Sequence, residues 1–151
     1  MSLEQDLLEQ RLKRIGDLKA LGFRPYGARF DFTHTIPQIL SEYGSKTSDQ
    51  LAPRVDVRVC GRIQTLRRMG KAGFAHLAQN GERLQIYVKK DAVSGRDFAL
   101  YELLDLGDII GAEGYLFRTR TGELTVHVER LEHLAKTLLS MPEKWHGLED
   151  V

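Results

Sequence analysis

The 151-residue sequence predicts a mainly β domain with some α: a five-stranded Greek-key barrel with a helix between strands 3 and 4 and an N-terminal helical extension. Three observations predict it. From Val55 onward, short runs alternate apolar and polar residues, as half-buried strands do. One helix-like run interrupts them after the third strand. Before residue 54 the apolar spacing is helical instead. The organisation expected is a helical extension over 1–53, a barrel over 54–139 and a linker over 140–151.

Within residues 3–21, Leu8, Leu12, Ile15 and Leu18 recur at steps of three and four, and Gly22 is a natural stop. Acids lie early (Glu4, Asp6, Glu9) and bases late (Arg14, Lys19), which suits the helix dipole. A second, short helix is expected from Ile36 to Tyr43, capped by Thr35, with Pro37 in its first turn and Gly44 at its end. "SKTSDQLAP" reads as a polar linker.

The first strand covers 55–64, with Val55, Val57, Val59 and Ile63 on one face. Gly61 lies on that face and suggests a bend. A glycine-punctuated loop then carries Arg67, Arg68 and Lys71. The second strand, about 73–78, sets Phe74 and His76 on one face and Ala75 and Leu77 on the other. Asn80-Gly81 is a hairpin signal, since both tolerate positive φ. In the third strand Leu84, Ile86 and Val88 point inward and Arg83, Gln85 and Tyr87 outward.

"GRDFALYELLDLG" is expected to be helical, "DIIGAEGYLFRT" the fourth strand and "ELTVHVERL" the fifth, joined through a turn at 120–122. "LEHLAKTLL" reads as one or two helical turns. Three strands, a helix and two strands is the order of the oligonucleotide/oligosaccharide-binding barrel, the OB-fold. Its ligand lies across strands 2 and 3, between the loops joining strands 1–2 and 4–5.

Net charge is only +1, but residues 54–90 hold nine bases (Arg54, Arg58, Arg62, Arg67, Arg68, Lys71, Arg83, Lys89, Lys90) against two acids, Asp56 and Glu82. Such a concentration is expected of a phosphate-binding face; a solvated charged surface is the competing explanation. No apolar run approaches the roughly 18 residues of a membrane span, and the N-terminus lacks the basic and apolar regions of a signal peptide. With its single Cys60, which excludes an internal disulfide, the chain is expected to be cytoplasmic.

Catalytic patterns are missing. A Walker loop ending at Gly70-Lys71 needs a glycine where Thr65 stands, no G-x-S-x-G occurs, and the five histidines lack metal-site spacing. No metal site is expected. The candidates are instead nucleic-acid-binding: Phe74 as a stacking platform among bases, with His76 on the same face. Outward Gln85, and Glu123 after the strand 4–5 turn, are acceptors for a base edge. Uracil offers an N–H at ring position 3 where cytosine offers a lone pair, so acceptors there favour uracil. A barrel-capping Phe74 and an ordinary turn residue at Glu123 are the structural alternatives.

At "MGKAGFAHL", "LQIYVKKD", "LDLGDIIGAEGYLFRTRTGELTVHV" and "MPEKWHGLED" the chain resembles the N-terminal anticodon-binding domain of class II lysyl-tRNA synthetases, closely over 55–150 and more loosely before. The resemblance implies that Phe74 stacks on the central anticodon uridine, that Gln85 and Glu123 contact bases, and that Arg67 matches an arginine of the strand 1–2 loop. The family often has another arginine where Leu66 stands here, so Arg67 and Arg68 both remain candidates, with Lys71 nearby. It implies lysine tRNA as partner, no membrane, and a homodimeric parent enzyme that attaches lysine to tRNA with ATP and Mg. The motifs of that chemistry do not occur here, so this chain is expected to be a non-catalytic piece without cofactor. A general single-strand-binding barrel, or the related aspartyl or asparaginyl domain, is the alternative.

Overall fold

The computed structural model describes residues 3–21 and 30–135. The 140–151 linker and the end of the expected barrel at 136–139 lie outside the described residues. The elements are α1 (Leu3–Ala20), α2 (Ile36–Tyr43), β1 (Asp56–Arg68), β2 (Ala72–Gln79), β3 (Glu82–Lys89), α3 (Gly95–Leu103), β4 (Ile109–Arg118) and β5 (Leu124–Ala135), with short 3-10 turns at Asp49–Leu51 and Lys90–Ala92.

The strands close into one barrel in the order β1-β2-β3-β5-β4. Every pairing is antiparallel except β3 with β5, which run parallel through Gln85–Tyr87 and Thr125–His127. Period-two alternation fills the interior with Val57, Val59, Ile63, Ala75, Leu77, Leu84, Ile86, Val88, Val126 and Val128, each nearly sealed from solvent. The β2–β3 hairpin turns through Asn80 and Gly81, both at positive φ, as Asn-Gly requires.

The helices close the barrel by caps and polar ties. Thr35 and Gln38 form a capping box at the start of α2, and the Gln79 side chain accepts the Ile36 N–H at 2.8 Å, fastening that helix to β2. Ser94 caps α3, and buried Asp97 accepts the Leu131 N–H of β5 at 3.0 Å. Arg11 and Arg14 of α1 both pair with Asp105 just beyond α3, while Leu18 is fully buried.

Two expectations need correction. β1 runs four residues past its expected end, so Arg67 and Arg68 belong to the strand and the loop shrinks to Met69–Lys71. The reason is a bulge: pairing with β2 slips between Ile63 and Thr65, leaving Gln64 extra and reversing the alternation beyond it. The residues 131–135, expected to be helical, continue β5. A second slip, opposite Glu113 and Gly114, moves the inward positions from Val126 and Val128 to Leu131 and His133, and the broken alternation looked helical.

Gly73 matters where β1, β2 and α3 meet. The Tyr101 hydroxyl crosses it to donate to the Arg67 carbonyl at 3.1 Å, and a Cβ at 73 would overlap both that hydroxyl and that carbonyl. Gly73→Ala should therefore destabilise the barrel by about 1–3 kcal/mol, read as a lower urea midpoint at an unchanged m-value.

Candidate nucleic-acid interface

The barrel's registers place one residue from each strand in a row across its outer surface. Arg67 faces Phe74, Phe74 faces Tyr87, Tyr87 faces His127, and His127 faces Tyr115. Phe74 is half-buried on the outer face, between the buried inner-face residues Gly73 and Ala75. Its ring lies 4.9 Å from Tyr87 and under the Arg67 guanidinium, 5.7 Å from the centroid. Farther along, Tyr115 is closed on both faces: it stacks on His127 at 4.8 Å and lies beneath Arg54 at 4.5 Å. Phe74 is thus the ring of the row beside an exposed arginine and the loop, while the Tyr115 end is filled by its own neighbours.

The adjacent row is polar: Thr65, His76, Gln85 and Thr125 stand opposite one another on β1, β2, β3 and β5. Hydrogen bonds join it to Glu123. His76 Nε2 lies 2.7 Å from Glu123 Oε2, and His76 Nδ1 lies 2.7 Å from the Thr65 hydroxyl. Gln85 Nε2 donates to Thr125 Oγ1 at 3.0 Å, and Thr125 Oγ1 donates to the Glu123 carbonyl at 3.0 Å. Glu123 also donates its N–H to Thr119 Oγ1. Arg118 steadies the same turn, bonding the Gly122 carbonyl as well as Tyr43, Gly44 and Lys46 carbonyls at the end of α2.

Gln85 differs from its expected outward posture: it is on the outer face but only 8% exposed, a floor residue held by Thr125. Glu123, by contrast, is exposed. His76 is not free-standing: both ring nitrogens are engaged, one by Thr65 and one by Glu123.

The two arginines separate. The Gln64 bulge puts Arg67 on the face of Phe74. Arg68 turns to α3, where it donates to the Leu104 carbonyl at 2.6 Å and the Tyr101 carbonyl at 3.2 Å. Lys71 is exposed in the loop, whose carbonyl accepts the Lys90 N–H. The nine bases of residues 54–90 do not share one face. Arg54 pairs with Asp56 and Glu129, Arg58 with Glu113 at 3.4 Å, and Arg62 donates to the Gly107 carbonyl. Arg67 lies over Phe74, while Lys71 and Lys90 meet through a backbone bond at the β1–β2 loop and Lys89 pairs with Ala72, two residues from Phe74. Sequence reading missed Thr65, Thr125 and Arg118; the outward placement of Thr125 was an available signal, whereas Thr65 faces out only because of the Gln64 bulge.

Among the described residues no helix is long and apolar enough to cross a membrane, and no group of three His, Cys, Asp or Glu side chains is placed to hold a metal. Residues 57–134 match the protein-family model for anticodon-type domains described as "OB-fold nucleic acid binding domain". The chain belongs to that family. It is 41% identical over 146 residues to a lysine–tRNA ligase of Carboxydothermus hydrogenoformans, covering 97% of this chain and 29% of the relative. It is 41% identical over 147 residues to that of Bacillus subtilis strain 168, covering 97% and 30%. To that of Anaeromyxobacter sp. strain K it is 40% identical over 149 residues, covering 98% and 29%. The chain thus spans under a third of the length of these curated relatives.

One member of this OB-fold's aromatic row titrates. Burial holds the His127 imidazole below its usual pKa; Glu129 opposes the depression and Lys89 adds to it. The native state thus binds that proton less readily than the unfolded chain. The stability His127 contributes is full above the ordinary value of 6.5 and is lost as pH falls through it towards the lower native value. Urea midpoints should drop between about pH 7.5 and 5.5, and drop less in His127→Phe. Equal slopes in the two proteins would show that other groups carry the acid sensitivity.

Proposed function

We propose that this chain is the anticodon-binding barrel of a lysine–tRNA ligase, holding the anticodon loop of lysine tRNA and reading its central uridine. One observation carries the reading: an outward phenyl ring and a cation on one row lie beside an amide and a carboxylate joined in one hydrogen-bond network on the next. Phe74 offers the stacking face. Arg67, which now covers that ring, shifts to sandwich the incoming base or meet its phosphate. Lys71, with Lys89 and Lys90 beyond the loop, neutralises backbone charge. Arg68 is a fold residue, tied to α3.

Glu123 Oε1 and Gln85 Oε1 have no hydrogen-bond partner among the described residues. Both are acceptors, and uracil meets them with its N–H whereas cytosine presents a lone pair. The module does no chemistry alone. In a cytoplasmic, homodimeric parent, ATP- and Mg-dependent lysine activation falls to the rest of the enzyme, and this barrel supplies recognition energy that places the distant acceptor end.

Binding of an anticodon stem-loop to the 151-residue chain tests the reading. Neutralising about three phosphates gives a log–log salt slope of about −2. Phe74→Ala should weaken binding by about 1–3 kcal/mol while leaving the urea midpoint nearly unchanged. A flat salt dependence, or equal affinity for a random oligomer of the same length, would overturn the assignment.

A further inference from the structure

The polarity of the reading edge is decided by groups that need not touch RNA. Begin with the Glu123 carbonyl, which can only accept. The Thr125 hydroxyl lies 3.0 Å from it and has one proton, so that proton is committed. Towards Gln85 the same hydroxyl can then only accept. Gln85 must therefore turn its NH2 to Thr125, at 3.0 Å, leaving its oxygen for a ligand. Thr125 is fully buried, so no water competes for the hydroxyl.

The second chain begins at the Glu123 carboxylate, also an acceptor. It calls for a proton on His76 Nε2, 2.7 Å away. In the neutral ring Nδ1 is then an acceptor, met by the Thr65 hydroxyl at 2.7 Å. The Thr65 oxygen is itself held by the His76 backbone N–H at 3.1 Å. Oε2 is thereby occupied and Oε1 is left as the open acceptor.

We infer that Thr125 and His76 are positioning residues, Thr125 fixing the donor–acceptor sense of Gln85 and His76 fixing where the Glu123 carboxylate points, so that the site accepts a base N–H and refuses a lone pair. The inference rests on the anticodon reading above and deepens it. An amide is the vulnerable part: rotated by half a turn, Gln85 offers N–H groups to cytosine as readily as its oxygen to uracil. Removing the Thr125 hydroxyl removes what forbids that rotation.

The experiment compares the affinities of the 151-residue chain for two anticodon stem-loops differing only in central U or C. The unaltered chain should prefer U by about tenfold or more. Thr125→Val should bring the ratio to within about threefold of unity, mainly by binding the C loop better, and Thr125→Ser should keep the preference. His76→Leu should lower the ratio and His76→Gln, which retains a donor near Glu123, should preserve it. His76 is only half-buried, so this pair decides if the buried Thr125→Val fails to fold. A residue that merely supports the fold would weaken both loops equally. An unchanged ratio in every folded hydroxyl- or imidazole-lacking variant, or equal losses in the conservative partners, overturns the inference and leaves the anticodon reading standing. No U preference in the unaltered chain would overturn the reading itself.

Discussion

Closing five short strands into a barrel forces β1 to belong to two edges, and one unpaired residue makes that possible. Residues 56–62 of β1 pair with β4, and 62–68 pair with β2. A strand cannot serve both edges without bending, and the Gln64 bulge supplies the bend. It also reverses which side chains face out. Before the bulge the outward residues are Asp56, Arg58, Cys60 and Arg62; beyond it they are Thr65 and Arg67. Were the ladder regular, Arg68 would face Phe74's side and Arg67 would turn to α3. The choice between two adjacent arginines, and the arrival of Thr65 opposite His76, are consequences of one inserted residue.

The same curvature explains why charge counted along the chain overstates charge at the site. β1 wraps the barrel, so Arg54 just before it and Arg58 near its start emerge on the side of β4 and β5, where Glu129 and Glu113 meet them. Their guanidinium groups lie over aromatic rings, Arg54 over Tyr115 and Arg58 over Phe30, as cation–π contacts. Surface pairs of this kind contribute little individually. What they remove is free positive charge from the wrong face. The cations left near Phe74 come from the ends of β1 and β3 and the loop between β1 and β2, the side where the ring is accessible.

Element order, hairpin position and the faces of β2 and β3 were legible in the sequence because each depends on residues close together. Asn80-Gly81 fixes a two-residue turn, that turn fixes that Phe74 pairs with Tyr87 and Ala75 with Ile86, and the apolar alternation decides which of the two pairs faces out. The extension of β1 and the strand character of 131–135 were hidden, since a bulge breaks the alternation by which strands are read and is specified by the partner strand. Equally hidden were the bonds of Gln85 and His76. Thr125 is forty residues from Gln85, and Glu123 is forty-seven from His76. Pattern reading placed all four on one face; only the parallel β3–β5 pairing makes them neighbours.

An acidic side chain beside a phosphate-binding face looks costly, and the network shows how the cost is contained. The Glu123 carboxylate is exposed enough to keep much of its hydration, and one oxygen takes a short hydrogen bond from an imidazole rather than an ion pair with Arg67. Arg67 stays over Phe74. A carboxylate is useful there because, ionised, it has no proton to offer in any rotamer. An amide has no such guarantee and needs a neighbour whose only proton is already spent. Glu123 and Gln85 are thus two solutions to one requirement, the first intrinsic to the functional group and the second imposed by a buried hydroxyl. The imposed solution depends on register, since a one-residue slip between β3 and β5 would carry Thr125 to the barrel interior and leave Gln85 beside a valine or a leucine.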